Sequence, residues 1–241
     1  MHRARPCRRP RQRGAATRAW CLARWLRGCA GARVALSLRA VVTGGSGGIG
    51  SEVVRELRTR RWDVISLSRR EGCDISDEDQ VVKAFSSLKS LDALVHCAAV
   101  LIKRRFTDMS AVEWDVQVAS GLRGAFLCSR EAFRLMQDRG GSIVFVSSLS
   151  GVAGAEKFPG MAAYVAAKSG LAGLTEALAA EGREAHIRVN AISPGAVDTP
   201  MLRIAGVEGP VLQPADVARI IVWLASAESA PLSGANLRMD P

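Results

Sequence analysis

The chain has 241 residues, 48% of them apolar, with a formal net charge of +10. This length accommodates one α/β domain with a substantial core and excludes a second domain of similar size. No apolar run approaches the roughly 20 residues of a membrane-spanning helix, and the histidines and cysteines lack the spacing of a metal site, so we expect neither a membrane span nor a bound metal.

The positive charge is concentrated at the N-terminus. Residues 1 to 39 contain eleven arginines and no acid, and removing these charges from +10 leaves −1 for the rest. We predict a basic, disordered extension at residues 1–37, followed by a nearly neutral domain at residues 38–241. The extension resembles an organelle transit peptide, although it is poor in serine. An equal alternative is that the sequence starts too early, at upstream codons that are not part of the protein. Any nucleic-acid affinity should belong to it and not to the domain.

The domain begins with an apolar strand, a glycine-rich turn and a helix. The turn reads Thr43-Gly44-Gly45-Ser46-Gly47-Gly48-Ile49-Gly50. Glycines allow a sharp turn and a close approach of the backbone to a pyrophosphate, and N–H groups at the helix start bind the anion. The flanking strand and helix favour a dinucleotide site over the alternative, a glycine-rich linker.

The connection after the second strand, at residues 64–67, is unusually short. Only Arg69 to Gly72 separate this strand from Cys73 and Asp74. A crossover to another parallel strand needs about a dozen residues, so no helix and further strand fit here. We therefore predict six strands, or seven with only a stub at this edge.

The rest of the domain alternates strands and helices. We predict a helix starting near Ser76, another from about Trp114 to Met136, a third that includes Tyr164 and a last one from Ala215 to Ala225. Apolar strands are expected at residues 91–96, 142–147, 187–192 and 235–239. This pattern predicts a single α/β domain with a Rossmann-like, doubly wound parallel sheet.

Tyr164, the only tyrosine, precedes Lys168 by four positions, and the pair Ser147-Ser148 ends an upstream strand. A phenol holds its proton until about pH 10, so it serves in catalysis where its anion is stabilised. Positions i and i+4 share a helix face, which should place the Lys168 ammonium beside the phenol and lower the phenol's pKa. Ordinary capping of the strand end is the alternative for the serines.

These motifs, with Asn190 to Gly195 followed by Thr199, resemble the short-chain dehydrogenase/reductase family, above all its β-ketoacyl-carrier-protein reductases. The resemblance implies an oxidoreductase that interconverts a ketone or 3-oxoacyl carbonyl and a secondary alcohol. The family usually has a helix and a further edge strand after the second strand, so the resemblance also implies that this edge strand and its crossover helix are trimmed here. It gives Tyr164 the role of proton donor, Ser148 that of hydrogen-bond donor to the substrate oxygen and Lys168 that of ribose holder. The implied cofactor-binding residues are Thr43, Gly44, Ser46, Gly48, Ile49, Gly50, Arg69, Asp74, Ala98, Lys168, Pro194, Gly195 and Thr199.

Cofactor choice depends on the end of the second strand. An acid there would bind the ribose hydroxyl of NAD, whereas arginine accommodates the 2′-phosphate of NADP. The chain has Arg69 and Arg70, so NADP is favoured and NAD remains possible; solvated loop arginines are the alternative.

The resemblance also implies a homodimer or homotetramer in which the Tyr164 helix pairs across a two-fold axis. The small residues of that helix could equally pack against the chain's own sheet. We expect reduced cysteines and a cytoplasmic enzyme, or one of an organelle matrix if the extension is a transit peptide.

Two departures from the family pattern are visible. Gly121 stands where the family usually has an asparagine that holds a water, and His96-Cys97-Ala98-Ala99 replaces the usual Asn-Asn-Ala-Gly. A glycine inside a helix costs about 1 kcal/mol, so a kink is expected there. The departures leave an alternative open: a sensor or partner subunit of the same fold with little or no turnover.

Overall fold

Six parallel strands form one sheet in the computed structural model, which describes residues 37–241. The strand order is β2-β1-β3-β4-β5-β6, with β2 and β6 at the edges. The strands are β1 (Arg39–Thr43), β2 (Asp63–Leu67), β3 (Ala93–His96), β4 (Gly141–Val146), β5 (Ile187–Pro194) and β6 (Asn236–Met239). The predictions of a basic extension, its disorder, its transit-peptide character and its nucleic-acid affinity concern residues that lie, except for Ser37, outside the described part.

Helices connect the strands and cover both faces of the sheet. They are α1 (Gly48–Thr59), α2 (Glu78–Ser86), α3 (Ala111–Val118), α4 (Gly124–Met136), α5 (Ala162–Glu181), α6 (Pro200–Ala205) and α7 (Pro214–Ala225). The short helix α6 lies in a segment for which we predicted no helix. The predicted α/β, Rossmann-like class is confirmed.

The strands supply side chains to two apolar layers in alternation. Ile143 and Phe145 pack towards the layer of α2, α4 and α5, whereas Val144 and Val146 pack towards the layer of α1 and α7. Successive side chains of a strand point to opposite faces, so a sheet buried on both sides reads as a continuous apolar run. This burial makes the sheet a rigid platform for the residues at its carboxyl edge.

The trimmed edge is confirmed among the described residues. After β2 the chain makes one 3₁₀ turn at Arg69–Glu71 and ends it at Gly72, which has a left-handed φ of 81°. It then continues directly towards α2, which is capped by the Asp77 carboxylate accepting from the Gln80 N–H at 3.1 Å. Strand β2 therefore forms the margin of the sheet and leads into a short turn at the predicted cofactor site.

The helix predicted from about Trp114 to Met136 is helical throughout, with an irregularity where a kink was expected. A π-helical turn at Ala119–Arg123 separates α3 from α4, and within it Gly121 is buried. A Cβ at Gly121 would lie 3.2 Å from the Cβ of Ala167 on α5. The glycine thus allows the widened turn to approach the helix that carries Tyr164 and Lys168. Within residues 37–241, no helix is both long and apolar enough to cross a bilayer.

Candidate active site

A cleft of about 1490 Å³ runs along the carboxyl ends of the strands. In open parallel α/β sheets this edge is where ligands bind. The cleft is lined by fourteen of the fifteen residues that the sequence indicated: Gly44, Ser46, Gly48, Ile49, Gly50, Arg69, Asp74, Ala98, Ser148, Tyr164, Lys168, Pro194, Gly195 and Thr199. The exception is Thr43, which is fully buried behind the cleft.

The glycine turn leaves an open cradle at one end of the cleft. Gly44 has a φ of +67°, and a Cβ there would lie 2.8 Å from the backbone of Ala98. Gly48 allows the same close approach to the side chain of Thr199. The start of α1 therefore presents its N–H groups beside bare backbone, and these residues fit a dinucleotide pyrophosphate.

The turn after β2 carries both signs of charge. Arg69 and Arg70 are exposed and line the cleft, and neither guanidinium forms an ion pair among the described residues. The Glu71 carboxylate folds back and accepts hydrogen bonds from the hydroxyls of Ser66 at 2.8 Å and Ser68 at 2.5 Å. Sequence reasoning missed this carboxylate, because only the folded turn brings it back to the strand.

Asp74 lies next to this turn, and its carboxylate caps the backbone that follows. Its Oδ1 accepts from the N–H of Ser76 at 2.9 Å and from the Ser76 hydroxyl at 2.7 Å. These hydrogen bonds lower the pKa of Asp74, so the group is a carboxylate at neutral pH. It presents acceptor capacity to the same end of the cleft as the two arginines.

The two serines after β4 have different partners. The Ser147 hydroxyl is buried and donates to the carbonyl oxygen of Lys168 at 2.8 Å. The Ser148 hydroxyl accepts from the N–H of Ser150 at 3.2 Å, and it lies near enough to the Tyr164 phenol to lower the phenol's pKa against the effect of burial. Ser147 therefore fastens the strand to the helix, while Ser148 lines the cleft together with Tyr164.

Tyr164 and Lys168 occupy consecutive turns of α5. The Lys168 ammonium lies 5.6 Å from the centre of the Tyr164 ring and donates to the carbonyl oxygen of Val146 at 2.6 Å. Only 2% of Lys168 and 9% of Tyr164 is exposed. The hydrogen bond to β4 fixes the ammonium at the cleft instead of in solvent.

Burial controls the acidity of both groups. It lowers the pKa of Lys168 to about 8, because the charged form has lost water. It raises the pKa of Tyr164, and the hydrogen bond with Ser148 only partly opposes this rise. The net shift of the phenol pKa is therefore upward, opposite to our expectation that Lys168 lowers it, because desolvation is the largest cause and exceeds the opposing effect of Ser148.

A fully buried histidine connects the glycine turn with the π-helical turn. Nδ1 of His96 lies 2.9 Å from Oγ1 of Thr43, and Nε2 lies 3.2 Å from the carbonyl oxygen of Gly121. Burial, followed by the charge of Lys168, lowers the pKa of His96 to about 3, so the ring is neutral. The sequence identified His96 only as a departure from the family pattern; its two partners depend on packing between distant elements.

The wall of the cleft near Tyr164 is apolar. Leu101, Met161 and Ala205 form a buried cluster with the tyrosine, and Phe158 and Met201 pack against it. The segment of residues 201–210 contributes seven of its ten residues to the lining. Lys103 donates to the carbonyl oxygen of Ala205 at 2.7 Å and so fastens α6 over this wall. Among the described residues, no group of three or more potential ligands is arranged to hold a metal ion.

Comparison with known proteins gives the same picture from sequence. The family model described as enoyl-(acyl carrier protein) reductase matches residues 30–241. The chain is 32% identical to the acetoacetyl-CoA reductase of Allochromatium vinosum over 239 residues, which is 83% of this chain and 96% of the relative.

Solved structures of similar proteins superpose well. A 3-oxoacyl-[acyl-carrier protein] reductase from Brucella melitensis has 28% identity and a TM-score of 0.72, covering 84% of this chain and 90% of its own. The protein ElxO, solved with NADP bound, has 25% identity and a TM-score of 0.76, covering 85% of this chain and 98% of its own. The similarity therefore extends over nearly the whole described domain.

Proposed function

The chain belongs to the short-chain dehydrogenase/reductase family and is an oxidoreductase, and we propose that it reduces the ketone of a 3-oxoacyl thioester or a related carbonyl with NADPH. The observation that carries this proposal is the convergence of Ser148, Tyr164 and Lys168 at one end of a cleft whose other end holds the glycine turn and two arginines. A proton donor and a dinucleotide cradle in one cleft are what carbonyl reduction requires.

The dinucleotide would be held by the glycine turn, Arg69, Asp74, Ala98, Lys168 and the segment from Pro194 to Thr199, and when bound it supplies the hydride. Arg69 and Arg70 carry the preference for NADPH, since a guanidinium binds a phosphate through charge-assisted hydrogen bonds. The NADP bound by ElxO supports the same preference by similarity.

Tyr164 acts as the proton donor to the substrate oxygen. Its raised pKa keeps the phenol protonated at neutral pH, which is the form that reduction consumes. Ser148 donates a hydrogen bond to the same oxygen as negative charge develops there. Lys168 brings a positive charge to this end of the cleft, and its lowered pKa leaves it mostly charged at pH 7.

The substrate class follows from the wall of the cleft. Leu101, Phe158, Met161 and Met201 offer an apolar surface beside Tyr164, which suits an acyl chain and excludes a strongly charged one. A thioester linked to coenzyme A or to a carrier protein leaves its polar part outside this wall. The acetoacetyl-CoA and 3-oxoacyl reductases among the relatives support this class.

The test is reduction of acetoacetyl-CoA and of a panel of 3-oxoacyl thioesters, followed as loss of NADPH absorbance. We expect turnover by the wild-type protein and a loss of roughly 10²- to 10⁴-fold in kcat for Tyr164→Phe, the range of general acid catalysis. NADPH binding, measured by fluorescence, should be unchanged. Binding without turnover in the wild type would instead support the alternative of a sensor or partner subunit.

We also propose that α3, α4 and α5 form a homo-oligomer contact. Phe126 is 49% exposed and shares a shallow apolar surface with Val118 and Gly173. A Cβ on Gly173 would meet nothing within 4 Å, so this face is open to a partner helix. The space over Gly170, by contrast, is occupied by the side chain of Leu122 of the same chain. Phe106, which is 73% exposed and lies before α3, provides the control. Light scattering should give a dimer or tetramer for the wild type and for Phe106→Glu, and a monomer for Phe126→Glu. A monomeric wild type refutes the contact.

A further inference from the structure

One buried side chain, His96, connects the glycine turn, the sheet and the π-helical turn, whose relative positions matter for the proposed reaction. His96 stands at the end of β3, opposite Thr43 of β1 on one side and Phe145 of β4 on the other. Its ring is fully buried and meets the Phe145 ring edge-on at 6.2 Å. The imidazole is therefore clamped within the sheet, and its two nitrogens point to fixed partners.

The partners determine which nitrogen carries the hydrogen. The Gly121 carbonyl oxygen can only accept, so Nε2 of His96 must donate across the 3.2 Å between them. Nδ1 then has a lone pair and accepts from the Thr43 hydroxyl at 2.9 Å. Oγ1 of Thr43 in turn accepts from the N–H of Ala98 at 3.4 Å. The hydrogen bonds run in one direction, from the cleft wall at Ala98 to the π-helical turn.

The π-helical turn lies directly against the helix of the proton donor. Gly121 approaches Ala167, the residue before Lys168, so closely that an added Cβ would lie 3.2 Å from the Ala167 Cβ. Leu122 fills the space over Gly170 on the same helix. A shift of Gly121 would therefore be transmitted to α5 at the position of Lys168. Glycine itself offers no side chain to anchor the turn, so the anchor must come from elsewhere.

We propose that His96 is a positioning residue for the hydride-transfer reaction: its Nε2–H holds the Gly121 carbonyl, and with it the π-helical turn, in register with Lys168, while Nδ1 ties the same ring to Thr43 at the start of the glycine turn. This inference rests on the proposed function. It links the cofactor end and the proton-donor end of the cleft through one neutral imidazole.

Two amide substitutions separate the two hydrogen bonds. The amide of Asn extends about as far as Nδ1, and that of Gln about as far as Nε2, so His96→Asn keeps the contact to Thr43 and His96→Gln keeps the donor to Gly121. We expect His96→Asn to lower kcat for acetoacetyl-CoA at least tenfold with the Kd of NADPH within threefold of wild type. His96→Gln should keep kcat within threefold and weaken NADPH binding.

The control is His186→Asn, the same substitution at the exposed histidine, which should change neither value. Nitrogen-15 NMR of histidine-labelled wild-type protein should show the Nε2–H tautomer for His96 from pH 5 to 8. Observation of the Nδ1–H tautomer would overturn the proposal. So would a wild type that is active while His96→Asn and His96→Gln both have the same kcat as the wild type. If His96→Asn fails to fold, the tautomer and the kcat of His96→Gln still decide. An inactive wild type would refute the proposed function itself. Wild-type turnover that both variants match would refute only the role of His96.

Discussion

Ser147 and Ser148 are adjacent in sequence, yet their hydroxyls have different partners: the first donates to the Lys168 carbonyl at 2.8 Å, and the second accepts from the N–H of Ser150 at 3.2 Å and lines the cleft with Tyr164. A strand alternates its side chains between its two faces, so two consecutive serines at its end separate into a packing residue and a residue of the cleft. This difference makes them a matched pair for mutagenesis.

Ser148→Ala should lower kcat by roughly 10²- to 10³-fold, the loss typical of removing one donor to a developing oxyanion. Ser147→Ala should leave kcat within a few-fold and lower the free energy of unfolding by about 1 kcal/mol, the usual worth of one hydrogen bond. Steady-state kinetics and urea unfolding of both variants provide the measurement. A larger kinetic loss in Ser147→Ala than in Ser148→Ala would reverse the assignment.

The buried ammonium of Lys168 should make stability depend on pH in the alkaline range. Its pKa is lowered to about 8 in the folded state, from 10.5 when unperturbed. Between these values the unfolded state binds more protons, so the free energy of unfolding should rise with pH by up to about 1.4 kcal/mol per pH unit.

Lys168→Met has no such titration and should lack this rise. The measurement is the difference between the urea unfolding curves of the two proteins from pH 7.5 to 10.5, since other groups that titrate there contribute to both. Parallel pH profiles for the two proteins would mean that the ammonium keeps its water in the folded state.

His96 should affect stability at acid pH with the same sign. Its pKa is lowered to about 3, from 6.5, first by burial and then by Lys168. The folded state keeps the ring neutral while the unfolded state protonates it. The stabilising contribution of the neutral ring should therefore be fully present above about pH 6.5. Below that, the free energy of unfolding should fall with decreasing pH towards 3, by up to about 1.4 kcal/mol per pH unit.

The comparison protein is His96→Gln, in which nothing titrates at this position. Carboxylates also lose stabilising contacts in this range, but they do so in both proteins, so the wild type should lose stability more steeply between pH 6.5 and 4. An equal slope in both proteins would show that the ring becomes charged without unfolding.

The arginine turn predicts the cofactor preference. Arg69→Ala combined with Arg70→Ala should weaken NADPH binding roughly tenfold or more while leaving NADH binding within about twofold, because only NADPH has the 2′-phosphate that a guanidinium binds. Glu71→Gln should strengthen NADPH binding, since it removes a negative charge from the same turn. Fluorescence titrations with both nucleotides are the measurement, and Arg58→Ala, on the far end of α1, is the control.

A wild-type protein that binds NADH more tightly than NADPH would refute this preference. It would assign the two arginines to solvent, the alternative that the sequence left open. An unchanged ratio of the two affinities in the double variant would lead to the same conclusion.

Local patterns were enough to predict the order of elements and the shape of the sheet. The four residues from Arg69 to Gly72 were too few for a crossover, and this spacing, compared with the family pattern, predicted the trimmed edge. Strand and helix periodicity also placed the glycine turn and the Tyr164 helix, because each is a local feature of the chain. The π-helical turn was foreseen only as a kink at Gly121.

The contacts that tune the site were not predictable from these patterns. The bond from His96 to Gly121 spans 25 residues and depends on how β3 packs against the π-helical turn. The return of Glu71 to Ser66 requires the actual path of the 3₁₀ turn. The raised pKa of Tyr164 has the same origin, since helix spacing predicts its distance from Lys168 but not the apolar wall that removes water from the phenol.

Strand β2 has β1 as its one partner among the described residues, and it leads directly into the arginine turn. Such a margin opens by local fraying more readily than the central strands do. A dinucleotide that rests on the turn can bind only while the margin is closed, so its concentration sets how often the margin opens. Under the proposed function, amide hydrogen exchange at residues 63–67 should therefore slow as NADPH is added, even when no carbonyl compound is present.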